Sequence, residues 1–325
     1  MKINAIRVHE QGDIDRMKFE SIELPPPKPG EARVRHEAIG VNYIDTYHRS
    51  GLYKLPTPTG IGVEAAGVVD AVGSAVTNLQ VGDRVAYCGG PIGAYAQASN
   101  VPAARLIKLP SGVSSDAAAA MLLKGLTVQY LFRQTYVLKR GETILFHAAA
   151  GGVGLLAAQW ARHLGVTMIG TVSSAEKAKL ATARGCAHVI DYSIENVPAR
   201  VLEITEGRKV PVVYDGVGKD TFMASLDCLA PRGLLVSFGN ASGPVTGVDL
   251  GILSAKGSLY VTRPTLATYT ATTEMLQSAA AELFGLVASG AITPDITRHY
   301  GLAQAQEAHR ALQSRATVGS ILLTP

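Results

Sequence analysis

The chain has 325 residues, 47% hydrophobic and 17% charged, with mean hydropathy +0.18 and formal net charge +4. This length exceeds one ordinary core and suits two domains of roughly 100–200 residues, while the apolar content excludes wholesale disorder. No long Lys/Arg run marks a nucleic-acid surface, and the scattered cysteines Cys88, Cys186 and Cys228 exclude a disulfide framework.

The first residues, MKINAIRVHEQ, contain no apolar h-region, so no secretory signal is expected and the cytoplasm is the default. Residues 1–115 read as strands and turns: alternating segments such as Ala32-Arg33-Val34-Arg35-His36-Glu37-Ala38 are punctuated by Pro25-Pro26-Pro27 and Pro29-Gly30. Val81-Gly82-Asp83-Arg84-Val85-Ala86 reads as a turn feeding a strand. Asp116 is predicted to cap a helix beginning at Ala117. Residues 143–161 are the most membrane-like stretch, but His147 and three glycines divide it into two elements.

From Thr143 the pattern alternates. Strands are predicted at 143–146, 167–172, 188–191, 210–214 and 234–238, with helices at 154–164, 175–183 and around 220–229. Strand–helix alternation implies a doubly wound parallel sheet of Rossmann type. Beyond about Pro264 the alternation stops, leaving helices at 270–288 and 303–313 and a last strand at 320–323. The chain therefore reads as an α/β nucleotide-binding domain (126–264) inserted in a β-rich domain (1–125 and 265–325).

The chemistry is concentrated in Ile144-Leu145-Phe146-His147-Ala148-Ala149-Ala150-Gly151-Gly152-Val153-Gly154. A buried strand enters a small-residue turn and a helix leaves it. Ala149-x-Gly151-x-x-Gly154 matches the dinucleotide fingerprint with Ala for the first Gly. Bare backbone lets a pyrophosphate approach, and the helix start offers free N–H groups. Alone, such a turn is only a tight helix–strand junction; a second strand on schedule makes it a dinucleotide site. That strand ends in Ser173-Ser174-Ala175-Glu176-Lys177, with no acid at its tip to bind a ribose 2′-OH. Ser173, Ser174 and Lys177 suit a 2′-phosphate, so NADPH is expected over NADH. Lys177 also reads as a solvated helix lysine. Ligands lie beyond the carboxyl ends of such strands, which nominates Asp191-Tyr192, Asp215-Gly216 and Phe238-Gly239-Asn240; each also reads as an ordinary turn. His147 reads as a support for the loop rather than a chemical group.

From end to end the chain resembles the medium-chain dehydrogenase/reductases, and within them the zinc-free quinone oxidoreductases related to ζ-crystallin. The segments that carry the resemblance are Gly40-Val41-Asn42-Tyr43-Ile44-Asp45-Thr46-Tyr47, Gly62-Val63-Glu64-Ala65-Ala66-Gly67, Lys124-Gly125-Leu126-Thr127, His147 to Gly154, and Val236-Ser237-Phe238-Gly239-Asn240. The resemblance implies a GroES-like β-rich domain beside the Rossmann domain, with NADPH and substrate in the cleft between them. The zinc alcohol dehydrogenases of the superfamily place a Cys at Asn42 and a His at Val63; neither residue here ligates zinc, so no metal is expected. Without a Lewis acid, alcohol oxidation is disfavoured, whereas a quinone carbonyl is already electron-poor.

The same resemblance implies site residues. Asn42, Asp45 and Tyr47 form the polar side of the nicotinamide pocket, and Tyr47 and Tyr53 face a planar substrate; as a plainer alternative Asn42 and Asp45 only fix a loop. Thr127, Tyr130, Val261, Arg263 and Arg315 contact the cofactor, a surface ion pair being the alternative for either arginine. Pairing of two copies through edge strands around 258–261 makes a homodimer. Two rivals stand beside NADPH-dependent quinone reduction: reduction of enals or enones, and an NADPH-bound RNA-binding protein, which the lack of a basic run disfavours.

Overall fold

The computed structural model describes residues 1–314 and 317–325. Arg315 lies outside the described residues. The chain divides into two compact units, Met1–Leu126 with Thr270–Pro325, and Thr127–Tyr269.

The first unit opens with β1 (Lys2–Val8) paired antiparallel to β2 (Met17–Glu23). Next come β3 (Glu31–Val41), α1 (Tyr43–Ser50), β4 (Thr59–Gly60), β5 (Glu64–Val72), β6 (Arg84–Cys88), β7 (Ala98–Pro102) and β8 (Ile107–Lys108). The alternation read at 32–38 is real: Ala32, Val34 and Ala38 are buried while Arg35 and Glu37 are exposed. Helix α1 departs from the all-strand expectation for this region. Its β-branched and aromatic residues favour a strand, but the Asp45 carboxylate accepts the Asn42 backbone N–H at 2.8 Å, and Gly51 closes the helix at φ 85°. The following helix, α2 (Ser115–Tyr130), starts before Asp116. Its capping oxygen is the Ser114 hydroxyl, which accepts from Ala117 N–H at 3.1 Å.

The second unit holds β9 (Thr143–Phe146), α3 (Gly152–Leu164), β10 (Thr167–Val172), α4 (Ala175–Arg184), β11 (His188–Asp191), α5 (Val197–Ile204), β12 (Val210–Asp215), α6 (Phe222–Cys228), β13 (Leu229–Ser237), α7 (Gly251–Ala255), β14 (Tyr260–Thr262) and α8 (Leu266–Tyr269). Its six strands are parallel in the order β11-β10-β9-β12-β13-β14. That is the doubly wound order with its switch point between β9 and β12. Leu145, Ile169, Ile190, Val213 and Leu235 share one core with Phe222, Leu226 and Leu259. Strands covered on both faces explain the near-continuous apolar runs. Helix α3 begins at Gly152 rather than 154, and β13 ends one residue before Phe238. Val261 lies inside a sixth strand, β14, which completes the sheet beside β13.

The chain then returns to the first unit as α9 (Thr273–Ala288), β15 (Ile296–Gly301), α10 (Ala305–Gln313) and β16 (Ser320–Thr324). The helix expected from 270 starts at Thr273, where Thr272 accepts from Met275 N–H. Strand β15, unforeseen in the sequence, pairs parallel to β16, giving a seven-stranded sheet with the path β15-β16-β3-β5-β6-β8 and β7 on β3. Among the described residues no helix is long and apolar enough to cross a membrane.

Candidate active site

In the Rossmann unit the expected residues gather at the carboxyl ends of the strands. Ala148 takes the left-handed conformation (φ 56°), turning the chain from β9 into α3. The first bond of α3 runs from Leu155 N–H to Gly151 O at 2.9 Å. The N–H groups of Gly152, Val153 and Gly154 therefore have no acceptor inside the helix, and Gly151 has no side chain to cap them. A Cβ on Gly154 would stand 2.5 Å from Ala148 O and 2.6 Å from Ala149 Cα. Glycine thus lets α3 press onto the turn and point its positive end outward.

One strand over, Ser174 caps α4 by accepting the Lys177 N–H, and Lys177 Nζ donates to Ser173 Oγ at 2.9 Å. Tyr192 joins the same corner, since its N–H bonds Val172 O at 3.0 Å while its ring is half exposed. Glu176 is exposed, and no carboxylate ends β10. On the other side of the switch point Gly216 and Gly239 touch backbone to backbone: a Cβ on Gly239 would lie 2.2 Å from Gly216 O. The Phe238 N–H bonds Asp215 O at 2.8 Å, and the Ala241 N–H following Asn240 bonds Gly216 O. Arg263 clamps this turn, with Nη1 donating to Ser237 O (2.9 Å) and Gly239 O (2.8 Å). Tyr130 is buried and stacked on Tyr269 at 4.7 Å with an 11° interplanar angle. Thr127, like Tyr130, lies on the last turns of α2.

In the other unit Asn42 Nδ2 donates to Glu64 Oε2 at 2.7 Å. Glu64 is fully buried; it also accepts from Leu123 N–H at 2.6 Å and lies 3.7 Å from Lys124 Nζ. Asp45 is fully buried as well. Its Oδ2 accepts from Asn42 N–H and from the Tyr95 hydroxyl at 2.9 Å, and Tyr95 Oη lies 3.1 Å from His309 Nε2. Burial pushes the Asp45 carboxyl up to about 7 against these donors. Tyr47 is buried edge-on to Tyr53 (5.2 Å, 64°), and Tyr53 reaches the surface.

Sequence reasoning assigned no role to Glu64, Tyr95, Lys124 or Tyr269. A signal existed for two of them: Glu64 interrupts the apolar run Ile61 to Gly67, and Lys124 interrupts an apolar helix.

Residues 28–111 match the alcohol dehydrogenase GroES-like domain, and residues 152–283 match the zinc-binding dehydrogenase family. The chain is 60% identical over 315 residues to a quinone oxidoreductase of Pseudomonas aeruginosa, covering 97% of each. The chain belongs to the bacterial quinone oxidoreductases of the medium-chain dehydrogenase/reductase superfamily. Among solved structures, the chain is similar to Escherichia coli quinone oxidoreductase complexed with NADPH, with TM-score 0.98, 52% identity, and 99% and 100% of the two chains covered. It is also 44% identical to a 2-haloacrylate reductase of a Burkholderia species over 99% of both chains.

The zinc in the second family's description does not fit here. The Asn42 amide is taken up by Glu64, Val63 is a buried apolar side chain, and among the described residues no group of three His, Cys, Asp or Glu is placed to hold an ion.

Proposed function

We propose that the protein reduces quinones with NADPH by direct hydride transfer, without a metal. The observation that carries this reading is the start of α3, where three N–H groups have no acceptor inside the helix and no side-chain cap, with the Ser173–Lys177 pair one strand away. Gly151, Gly152, Val153 and Gly154 hold the pyrophosphate, where the helix dipole favours negative charge. Ser173, Ser174, Lys177 and Tyr192 hold the 2′-phosphate. Gly216, Phe238, Gly239 and Asn240 receive the nicotinamide half, kept in place by Arg263, with Thr127, Tyr130 and Val261 as further contacts. When bound, NADPH supplies the hydride.

Asn42, Tyr47 and Tyr53 orient the nicotinamide and a planar acceptor. Asp45 has no exposed surface, so it acts by holding α1, the helix that carries Tyr47. The quinone ring spreads the incoming charge, so orientation contributes the larger part of the rate and the final proton comes from water. The molecule is proposed to work in the cytoplasm as a homodimer paired through β14.

One observation favours a second reading, reduction of an electron-poor alkene: the resemblance to the 2-haloacrylate reductase. A matrix of NADPH and NADH against 1,4-benzoquinone, a naphthoquinone, an enone and 2-chloroacrylate separates the two. Fast quinone turnover with NADPH, and little with NADH, is expected. Quinone reduction no faster than the uncatalysed reaction would sink the assignment, and preferential turnover of 2-chloroacrylate would install its rival.

A further inference from the structure

Under the cofactor loop lies a buried chain of side chains that hydride transfer does not use. The Ala148 N–H lies 3.3 Å from Thr171 Oγ1, and Thr171 Oγ1 lies 3.0 Å from His147 Nδ1. His147 Nε2 lies 3.0 Å from Ser225 Oγ, and Ser225 Oγ lies 2.9 Å from Asp215 Oδ2. All four side chains are at least 98% buried.

The protons along this chain have a single consistent arrangement. Asp215 accepts from Val217 N–H, Gly218 N–H and the Thr221 hydroxyl in addition to Ser225, so it is an acceptor only. Ser225 must therefore give its one proton to Asp215. His147 Nε2 then carries a hydrogen and donates to Ser225, which leaves Nδ1 bare to accept from Thr171. With its own proton spent on His147, Thr171 Oγ1 is an acceptor for the Ala148 N–H. Burial, which lowers the His147 pKa more than Asp215 raises it, agrees with a neutral ring.

We propose that His147 is a positioning residue for the cofactor: locked as the Nε2–H tautomer between Thr171 and Ser225, it transmits the anchoring of Asp215 to the Ala148 N–H and so fixes the left-handed turn that aims α3 at the pyrophosphate. The relay spans the ends of β9, β10 and β12 and the start of the sheet-covering helix α6, tying both sides of the switch point to one loop. It rests on the NADPH reading above. Ala148 pays for its φ of 56° with strain that a non-glycine residue relieves unless its N–H is held, and the relay supplies that hold.

Thr171→Val keeps the shape and removes the hydroxyl, whereas Thr171→Ser restores it. For Thr171→Val, KM and Kd for NADPH are expected to rise about tenfold, with kcat at saturation changing less than threefold. Thr171→Ser should return both constants to within about twofold of the parent. Ser225→Ala, cutting the relay at its far end, should raise Kd for NADPH in the same direction. Nitrogen-15 NMR of the unliganded parent should show His147 with hydrogen on Nε2 from pH 5 to 9, which tests the relay even if the valine variant does not fold. Hydrogen on Nδ1, unchanged NADPH affinity in both cut variants, or equal loss in Thr171→Ser would overturn the relay alone. A parent protein that binds no NADPH would remove the cofactor reading and the relay's role together.

Discussion

At Asp45 burial decides the charge. Its carboxyl rises from 3.8 to about 7, so between these values the folded protein keeps a proton that the unfolded chain has released. Stability therefore falls as pH rises through that window, and the full loss, on the order of 4 kcal/mol, is present above about pH 7. His36 and His309 work in the opposite sense: burial pushes them down to about 4 and about 3, so their neutral folded forms cost stability as pH falls below 6.5. Subtracting a variant isolates the carboxyl. Asp45→Asn should be relatively more stable than the parent at pH 8 than at pH 5, by urea unfolding at both; a difference independent of pH would refute the shifted carboxyl. Lys177 makes the other residue-scale case. Its ammonium lies on Ser173 at 2.9 Å; in the proposed site it would add a charge-assisted bond to the 2′-phosphate, worth roughly 1.5–3 kcal/mol. Lys177→Ala should raise KM for NADPH by about tenfold or more and leave KM for NADH unchanged in steady-state assays. Equal losses with both cofactors would remove Lys177 from the phosphate corner.

Helix α3 presses on the β9 turn only because Gly154 has no side chain. Gly154→Ala would push a methyl group to within 2.5 Å of Ala148 O, so the helix must lift or the turn must open. About 1–3 kcal/mol of stability should be lost on urea unfolding, together with at least a tenfold loss of NADPH affinity by fluorescence titration. An alanine variant that binds like the parent would show that close packing here is not what shapes the phosphate cradle. This junction was readable beforehand because strand, turn and helix each left a periodic or compositional mark. Helix α1 left none: Tyr43-Ile44-Asp45-Thr46-Tyr47 has strand-forming residues, and the helix depends on a carboxylate reaching back to Asn42. Strand β15 was hidden for another reason. It lies at the end of the sheet path with Thr297, Arg298 and His299 all exposed, so no alternation reports it. The partners of Asn42 and Asp45 were illegible because they are distant in sequence: Glu64 takes the Asn42 amide, while Tyr95 donates to Asp45 and lies beside His309.

At the scale of the whole molecule, the open edges of the Rossmann sheet remain to be accounted for. Strand β11 ends that sheet on one side with only four residues, and β14 on the other with three. On β14 two large side chains are exposed, one on each face of the strand, Tyr260 at 60% and Val261 at 41%, and no lysine or proline in the strand discourages pairing. An exposed edge of this kind invites another strand, and a second copy meeting it about a two-fold axis would extend the sheet while closing the edge on both partners. Such an interface is self-complementary, so one substitution acts twice. In such a dimer Tyr260→Lys would bring in two ammonium groups and remove two tyrosine rings, and it should dissociate the proposed pair while leaving each protomer folded. Light scattering after size exclusion should give twice 34.0 kDa for the parent and 34.0 kDa for the variant, with circular dichroism unchanged. A parent protein that elutes as a monomer at tens of micromolar, or a lysine variant that stays dimeric, would place the contact elsewhere or remove it.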